Sequence, residues 1–148
     1  MVIAGLTQDM LGKKEALAKQ AAANAYCPYS CFQVGTAILG DDDHIYTGCN
    51  VENAAYGSTI CAECTAIGRA VTAGVKTIKA VLIYTPTEHH TFPCGNCRQT
   101  LNEFATDIPV YLSCDQKSRY HTTLKALLPD SFDPADLAQS PAKESCFR

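Results

Sequence analysis

The apolar positions change period several times along the chain, and the changes mark its elements. From Thr7 to Ala25 they recur at helical spacing, with Leu11, Leu17 and Ala21 on one face, Thr7 placed to cap and Pro28 beyond the end. Phe32 to Leu39 alternates through Phe32, Val34, Thr36 and Ile38, which predicts a strand. Asp41-Asp42-Asp43 reads as a turn, and His44 to Cys49 as the second strand of a hairpin. Asn50 to Thr59 is polar, with Gly57 and Ser58, and reads as a loop. Ile60 to Ala73 suits a helix ended by Gly74, and Ile78 to Tyr84 a buried strand. Pro93 precedes a helix from Cys94 to Ala105, Pro109 to Ser113 forms a further short strand, and His121 to Leu127 suits a short helix before Pro129. The tail, from about residue 138, is expected to be mobile. The alternation of strands and helices after an opening hairpin predicts an α/β fold. Its expected form is a three-layer α-β-α sandwich with a mixed sheet of about five strands, in one domain over residues 1–148.

Composition narrows the function classes. Hydrophobic residues make up 47% of the 148 and charged residues 18%, an ordinary globular balance that excludes wholesale disorder. The formal net charge is −3 and no basic stripe is visible, so a nucleic-acid polymer is not the expected partner and a small substrate is. No apolar run approaches the roughly 18 residues of a membrane span. Met1–Gly12 lacks the pattern of a secretory signal, so a cytoplasmic location is expected. Nine cysteines, an odd number without such a signal, point to metal or catalytic use rather than a disulfide framework. His89-His90 reads as a solvated loop pair, since adjacent side chains on a loop point apart.

Two segments carry the chemistry: Cys61-Ala62-Glu63-Cys64 and Pro93-Cys94-Gly95-Asn96-Cys97. Cys94 and Cys97 can share one ion at a helix start, where free N–H groups and the helix dipole stabilise thiolates, and Cys61 falls near the start of its own helix. The order Cys-x-Glu…Pro-Cys-x-x-Cys is the three-cysteine form of the zinc nucleobase deaminase pattern. Three protein ligands leave zinc a fourth position for water, whose pKa falls towards about 7. Glu63, two residues from a ligand, is close enough to exchange protons without binding the metal. By spacing alone a closed structural site of four cysteines, with Cys64 as the fourth, stays open; the 29 residues between the pairs exceed the usual ribbon spacing.

At these residues the sequence resembles the homotetrameric cytidine deaminases. The resemblance runs from about Tyr29 to Leu137. It is carried by Tyr29-Ser30-Cys31-Phe32-Gln33-Val34-Gly35, Gly48-Cys49-Asn50-Val51-Glu52-Asn53-Ala54-Ala55-Tyr56-Gly57, Cys61-Ala62-Glu63, Pro93-Cys94-Gly95-Asn96-Cys97-Arg98-Gln99 and Leu127-Leu128-Pro129-Asp130-Ser131-Phe132. It implies a pyrimidine-salvage hydrolase that converts cytidine and 2′-deoxycytidine to the uridines with release of ammonia, holding one zinc per chain on Cys61, Cys94 and Cys97. It implies that Glu63 is the proton carrier and that Asn50 and Glu52 bind the ribose hydroxyls, with Ala54 in the same run. Phe32 is expected beside the nucleoside, and Tyr56 and Phe132 in the site of a neighbouring subunit. A deaminase of a modified nucleoside such as blasticidin S is the related alternative, and a non-catalytic four-cysteine zinc module the unrelated one. The chain departs from the family pattern twice: Cys64 stands where Arg usually follows the catalytic Glu, and Asn96 where Ala is frequent. With Cys64 expected as a neutral thiol, Arg98 and the two helix starts are expected to offset the charge of the sulfurs.

Overall fold

The computed structural model describes residues 7–139. Helix α1 (Gln8–Ala23) begins where Thr7 accepts a hydrogen bond from Met10 N at 3.2 Å, satisfying one of the free N–H groups of the first turn. Strands β1 (Gly35–Gly40) and β2 (Ile45–Cys49) form the antiparallel hairpin, turned by Asp41 to His44. Strand β3 (Ile78–Tyr84) pairs antiparallel with β1, β4 (Pro109–Ser113) pairs parallel with β3, and β5 (Tyr120–Thr123) pairs antiparallel with β4. The sheet is therefore mixed, in the order β2-β1-β3-β4-β5. A parallel pair needs a crossover connection, and α3 (Gly95–Phe104) lies on the chain between β3 and β4.

The period-two alternation of the strands divides the core. Ala37, Leu39, Ala80, Leu82, Tyr84 and Tyr111 face one way and pack with Leu11, Ala18 and Ala22 of α1. Ile38, Val81, Ile83, Val110 and Leu112 face the other way and pack with Ala66, Ile67 and Ala70 of α2 (Ala62–Thr72) and Leu101 of α3. Burial on both faces explains why β3 is an unbroken apolar run from Ala80 to Tyr84. The expected three layers and five strands are thus present. No helix among the described residues is long and apolar enough to cross a membrane.

Two expectations need correction. The first strand begins at Gly35 rather than Phe32, because Cys31 adopts a left-handed backbone (φ 57) and the side-chain amide of Asn50 engages Phe32 O and Val34 N in place of a strand. His121 to Leu127 is not one helix. Its first half lies in β5, and only Leu124–Leu127 forms a single helical turn, α4, whose cap is the Thr123 hydroxyl. A further short helix, α5 (Pro134–Ala138), starts at an Asp133 capping box just before the tail expected to be mobile; residues 140–148, on which that expectation mainly falls, lie outside the described residues.

One close approach sets the position of α2. A Cβ built on Gly48 of β2 would fall 2.4 Å from both Ala62 O and Ala66 N. The helix start that carries Cys61 and Glu63 therefore rests directly on a strand without a side chain. Gly48→Ala is expected to cost about 1–3 kcal/mol in urea unfolding, the usual range for overpacking. Gly12→Ala, in open space on α1, is expected to add about 0.5–1 kcal/mol. Equal small effects of the two substitutions would contradict this account of the packing.

Candidate metal centre and active site

Helices α2 and α3 begin side by side, and each begins on a cysteine. Cys61 and Cys94 are the N-cap residues, both extended (φ −69, ψ 153 and φ −66, ψ 167), and neither side chain makes a capping hydrogen bond. Cys97, in the first turn of α3, is 1% exposed. The three sulfurs lie within 4.8 Å of one another, with Cys61 and Cys94 Sγ 3.9 Å apart. A tetrahedral zinc about 2.3 Å from each sulfur requires sulfurs about 3.8 Å apart, so the donor set fits that ion closely.

The electrostatics also call for a cation. Burial pushes the Cys61 thiol up to about 11, against a hydrogen bond from Cys97 and with Cys94 and the Glu63 charge adding to the rise. Cys97 is raised strongly, first by burial and then by the Glu63 charge. Burial also opposes ionisation of Cys94, but hydrogen bonds from the Cys97 backbone and from the thiols of Cys97 and Cys61 outweigh it and lower that group. Burial therefore opposes the charged form at all three sulfurs. A dication changes this balance, because thiolates are its ligands.

Glu63 is the second residue of α2 and 4% exposed. Burial raises its carboxyl above the ordinary carboxylate range, against opposing hydrogen bonds from its own backbone N–H and from Cys97. A carboxyl tuned upward can both take and return a proton near neutrality. Cys64, one residue on, is not part of the metal-ligating group among the described residues. Its Sγ lies 3.9 Å from Thr100 Oγ1 and 3.9 Å from Asn96 Nδ2. The closed four-cysteine site is therefore not what the geometry shows.

The sulfurs and Glu63 form one end of a cavity of about 410 Å³. Phe32, Val34, Ala62, Ile83 and Phe92 give it apolar walls, and Ser30, Asn50, Glu52, Thr59 and Thr91 its polar groups. Asn50 is 9% exposed and braces the wall, accepting from Val34 N at 2.9 Å and donating to Phe32 O at 2.8 Å. Glu52 Oε1 accepts from Ser30 N at 3.2 Å and Ser30 Oγ at 3.1 Å, while Oε2 has no hydrogen-bond partner among the described residues. Phe32, Asn50, Glu52, Glu63 and the three cysteines thus line one cavity.

Other expected residues lie elsewhere. Ala54, Tyr56 and Phe132 are exposed and do not line the cavity; Tyr56 is 76% and Phe132 57% exposed. Arg98 was expected to offset the charge of the sulfurs. Its guanidinium instead donates to Pro93 O and Leu127 O, both at 2.7 Å, and ties the turn before Cys94 to α4. Thr59, Thr91 and Phe92 were not singled out from sequence. For Thr91 and Phe92 the available signal was their place just before Pro93-Cys94; Thr91 Oγ1 is further held 3.0 Å from buried Thr85 Oγ1.

Residues 13–113 match the zinc-binding region of cytidine and deoxycytidylate deaminases. The chain is 46% identical over 121 residues to a cytidine deaminase of Sporosarcina psychrophila, covering 81% of this chain and 89% of that protein. It is 43% identical over 120 residues to a cytidine deaminase of Mycobacterium tuberculosis, covering 81% and 87%. A crystal structure of cytidine deaminase from Burkholderia pseudomallei superposes with a TM-score of 0.79 at 38% identity, over 86% of this chain and 100% of that one. A match running from α1 to the end of β4 takes in both helix starts that carry the sulfurs, and on it the chain belongs to the cytidine and deoxycytidylate deaminase family.

Proposed function

We propose that the chain catalyses the hydrolytic deamination of cytidine and 2′-deoxycytidine, with release of ammonia. The observation that carries this reading is the three-sulfur cluster beside a buried Glu63 at the end of a nucleoside-sized cavity. Cys61, Cys94 and Cys97 would hold one zinc, which when bound supplies a Lewis acid that makes hydroxide available near neutral pH. Glu63 then moves the protons. Its carboxylate accepts one from the attacking water as oxygen adds to C4 of the base, and its acid form donates to N3. The regenerated carboxylate then takes the proton of the new C4 hydroxyl and passes it to the amino nitrogen, so the C4–N bond breaks, ammonia leaves and the C4 carbonyl of the uracil ring forms. Glu52 Oε2 and the remaining capacity of the Asn50 amide would take the ribose hydroxyls at the other end. A sugarless base would leave those groups unpaired and be turned over far more slowly.

The reading extends to the assembly. The ring of Phe32 is half exposed at the cavity wall, and Tyr56, Tyr29 and Phe132 are exposed aromatic rings outside it. Four chains arranged so that Tyr56 and Phe132 close a neighbour's cavity would cover these rings and exclude water from the base.

Absorbance loss of cytidine with stoichiometric ammonia release, measured on zinc-loaded protein, tests the activity. Zinc-loaded protein that converts neither cytidine nor 2′-deoxycytidine would overturn it. Glu63→Gln preserves size and removes the proton carrier; kcat is expected to fall about 10²–10⁴-fold with zinc content unchanged. Near-normal turnover in that variant would move the role to another group. Sedimentation at assay concentration is expected to show four chains, and a fully active monomer would refute the shared-site arrangement.

A further inference from the structure

The two positions at which this chain departs from its family pattern touch each other. Asn96 Nδ2 donates to Cys64 Sγ at 3.9 Å. The Cys64 thiol donates to Thr100 Oγ1 at 3.9 Å, and that hydroxyl donates to Asn96 O at 2.7 Å. Two of these bonds cross between the first turn of α2, which carries Cys61 and Glu63, and the first half of α3, which carries Cys94 and Cys97; the third, from Thr100 to Asn96 within α3, closes the ring. Each donor in the ring has one acceptor. The Thr100 hydroxyl hydrogen is spent on Asn96 O, so the hydrogen between Cys64 and Thr100 belongs to the sulfur. Cys64 therefore serves the ring as a thiol, a role incompatible with binding metal as a thiolate.

We infer that Cys64, Asn96 and Thr100 act as one positioning unit that sets the spacing of the two helix starts. This inference rests on the reading that Cys61, Cys94 and Cys97 hold zinc. The other polar ties between the two helix starts, Cys61 with Cys94 and Cys97 and Glu63 with Cys97, all involve the metal ligands themselves. The Arg98 guanidinium binds Pro93 O and Leu127 O, and α2 rests on β2 through Gly48. An error in the spacing falls on the Cys61–Cys94 separation, which the donor set holds at 3.9 Å. Cys64 and Asn96 make no bond to any of the three ligand sulfurs; they act through the placement of their helices. An arginine at position 64 would compete for space with the Asn96 amide, which lies 3.9 Å from the Cys64 sulfur.

The test measures zinc affinity by competition with a chromophoric chelator, together with unfolding midpoints of the apo and zinc-loaded forms. The proteins are wild type, Cys64→Val, Asn96→Ala, the Cys64→Val/Asn96→Ala double variant, Cys64→Arg and Cys64→Arg/Asn96→Ala. Cys64→Val and Asn96→Ala are each expected to weaken zinc binding about tenfold, the lower end for groups that support metal ligands. Because one ring carries both effects, the Val/Ala double variant is expected to lose no more than either single one. Cys64→Arg alone is expected to weaken binding, and adding Asn96→Ala to restore most of the loss. Zinc affinities of both single variants within about twofold of wild type would overturn the inference, as would losses that simply add in the double variant. Equal drops in apo and loaded midpoints with unchanged zinc affinity would reduce the ring to a fold contact and overturn it too. Wild-type protein that takes up no zinc would fail the underlying reading instead, and the inference with it.

Discussion

Everything at the site depends on two helix N-termini meeting over three sulfurs. The first turn of a helix leaves N–H groups without intrahelical partners, and these are commonly met by a side-chain oxygen at the cap. In α2 and α3 the cap residues are Cys61 and Cys94, and neither makes such a bond. The free N–H groups and the positive ends of both dipoles thus favour negative charge on the sulfurs, in a place where burial otherwise opposes ionisation. A divalent ion completes the balance. The same geometry places Glu63 on the first turn of α2, next to the three sulfurs but not among the metal-ligating group. Its burial comes from that position and raises its carboxyl above the ordinary carboxylate range.

The rest of the fold holds the two helix starts in register. The sheet supplies a floor, with Gly48 thin enough to let α2 lie on β2 and with β3 buried on both faces. Asn50 does a second job at the far end. Its amide holds Phe32 and Val34 as a wall, and the chain from Tyr26 is bonded to it through the Tyr26 N to Asn50 O bond at 3.0 Å. A residue expected to touch the sugar therefore also builds the cavity that receives it, so its loss would alter both affinity and wall shape.

Much of this was legible because local signals agreed. The helical period of α1, the apolar run of β3 and the Pro93-Cys94 start of α3 each reflect burial or capping that short segments encode by themselves. The metal ligands were legible because their spacing on two helix starts is itself the chemistry. Strand β5 was not, because Tyr120-His121-Thr122-Thr123 is a half-exposed edge whose state is decided by pairing with β4. Phe32 alternates like a strand residue, yet the Asn50 side chain claims the backbone around it. Arg98 stands next to a ligand in sequence, but one helical residue turns its guanidinium to the Leu127 carbonyl. Phe92 and Thr91 enter the cavity only through the crossover that brings the loop after β3 back over the sheet.

The central claim is a three-sulfur zinc with one position left open beside Glu63. X-ray absorption at the zinc edge on purified protein, with metal analysis of the same sample, reads it directly. The account expects one zinc per chain, with three sulfurs at about 2.3 Å and one oxygen or nitrogen at about 2.0–2.2 Å. Four sulfurs around the zinc would bring Cys64 into the centre and contradict the account, as would protein that folds fully and binds no zinc.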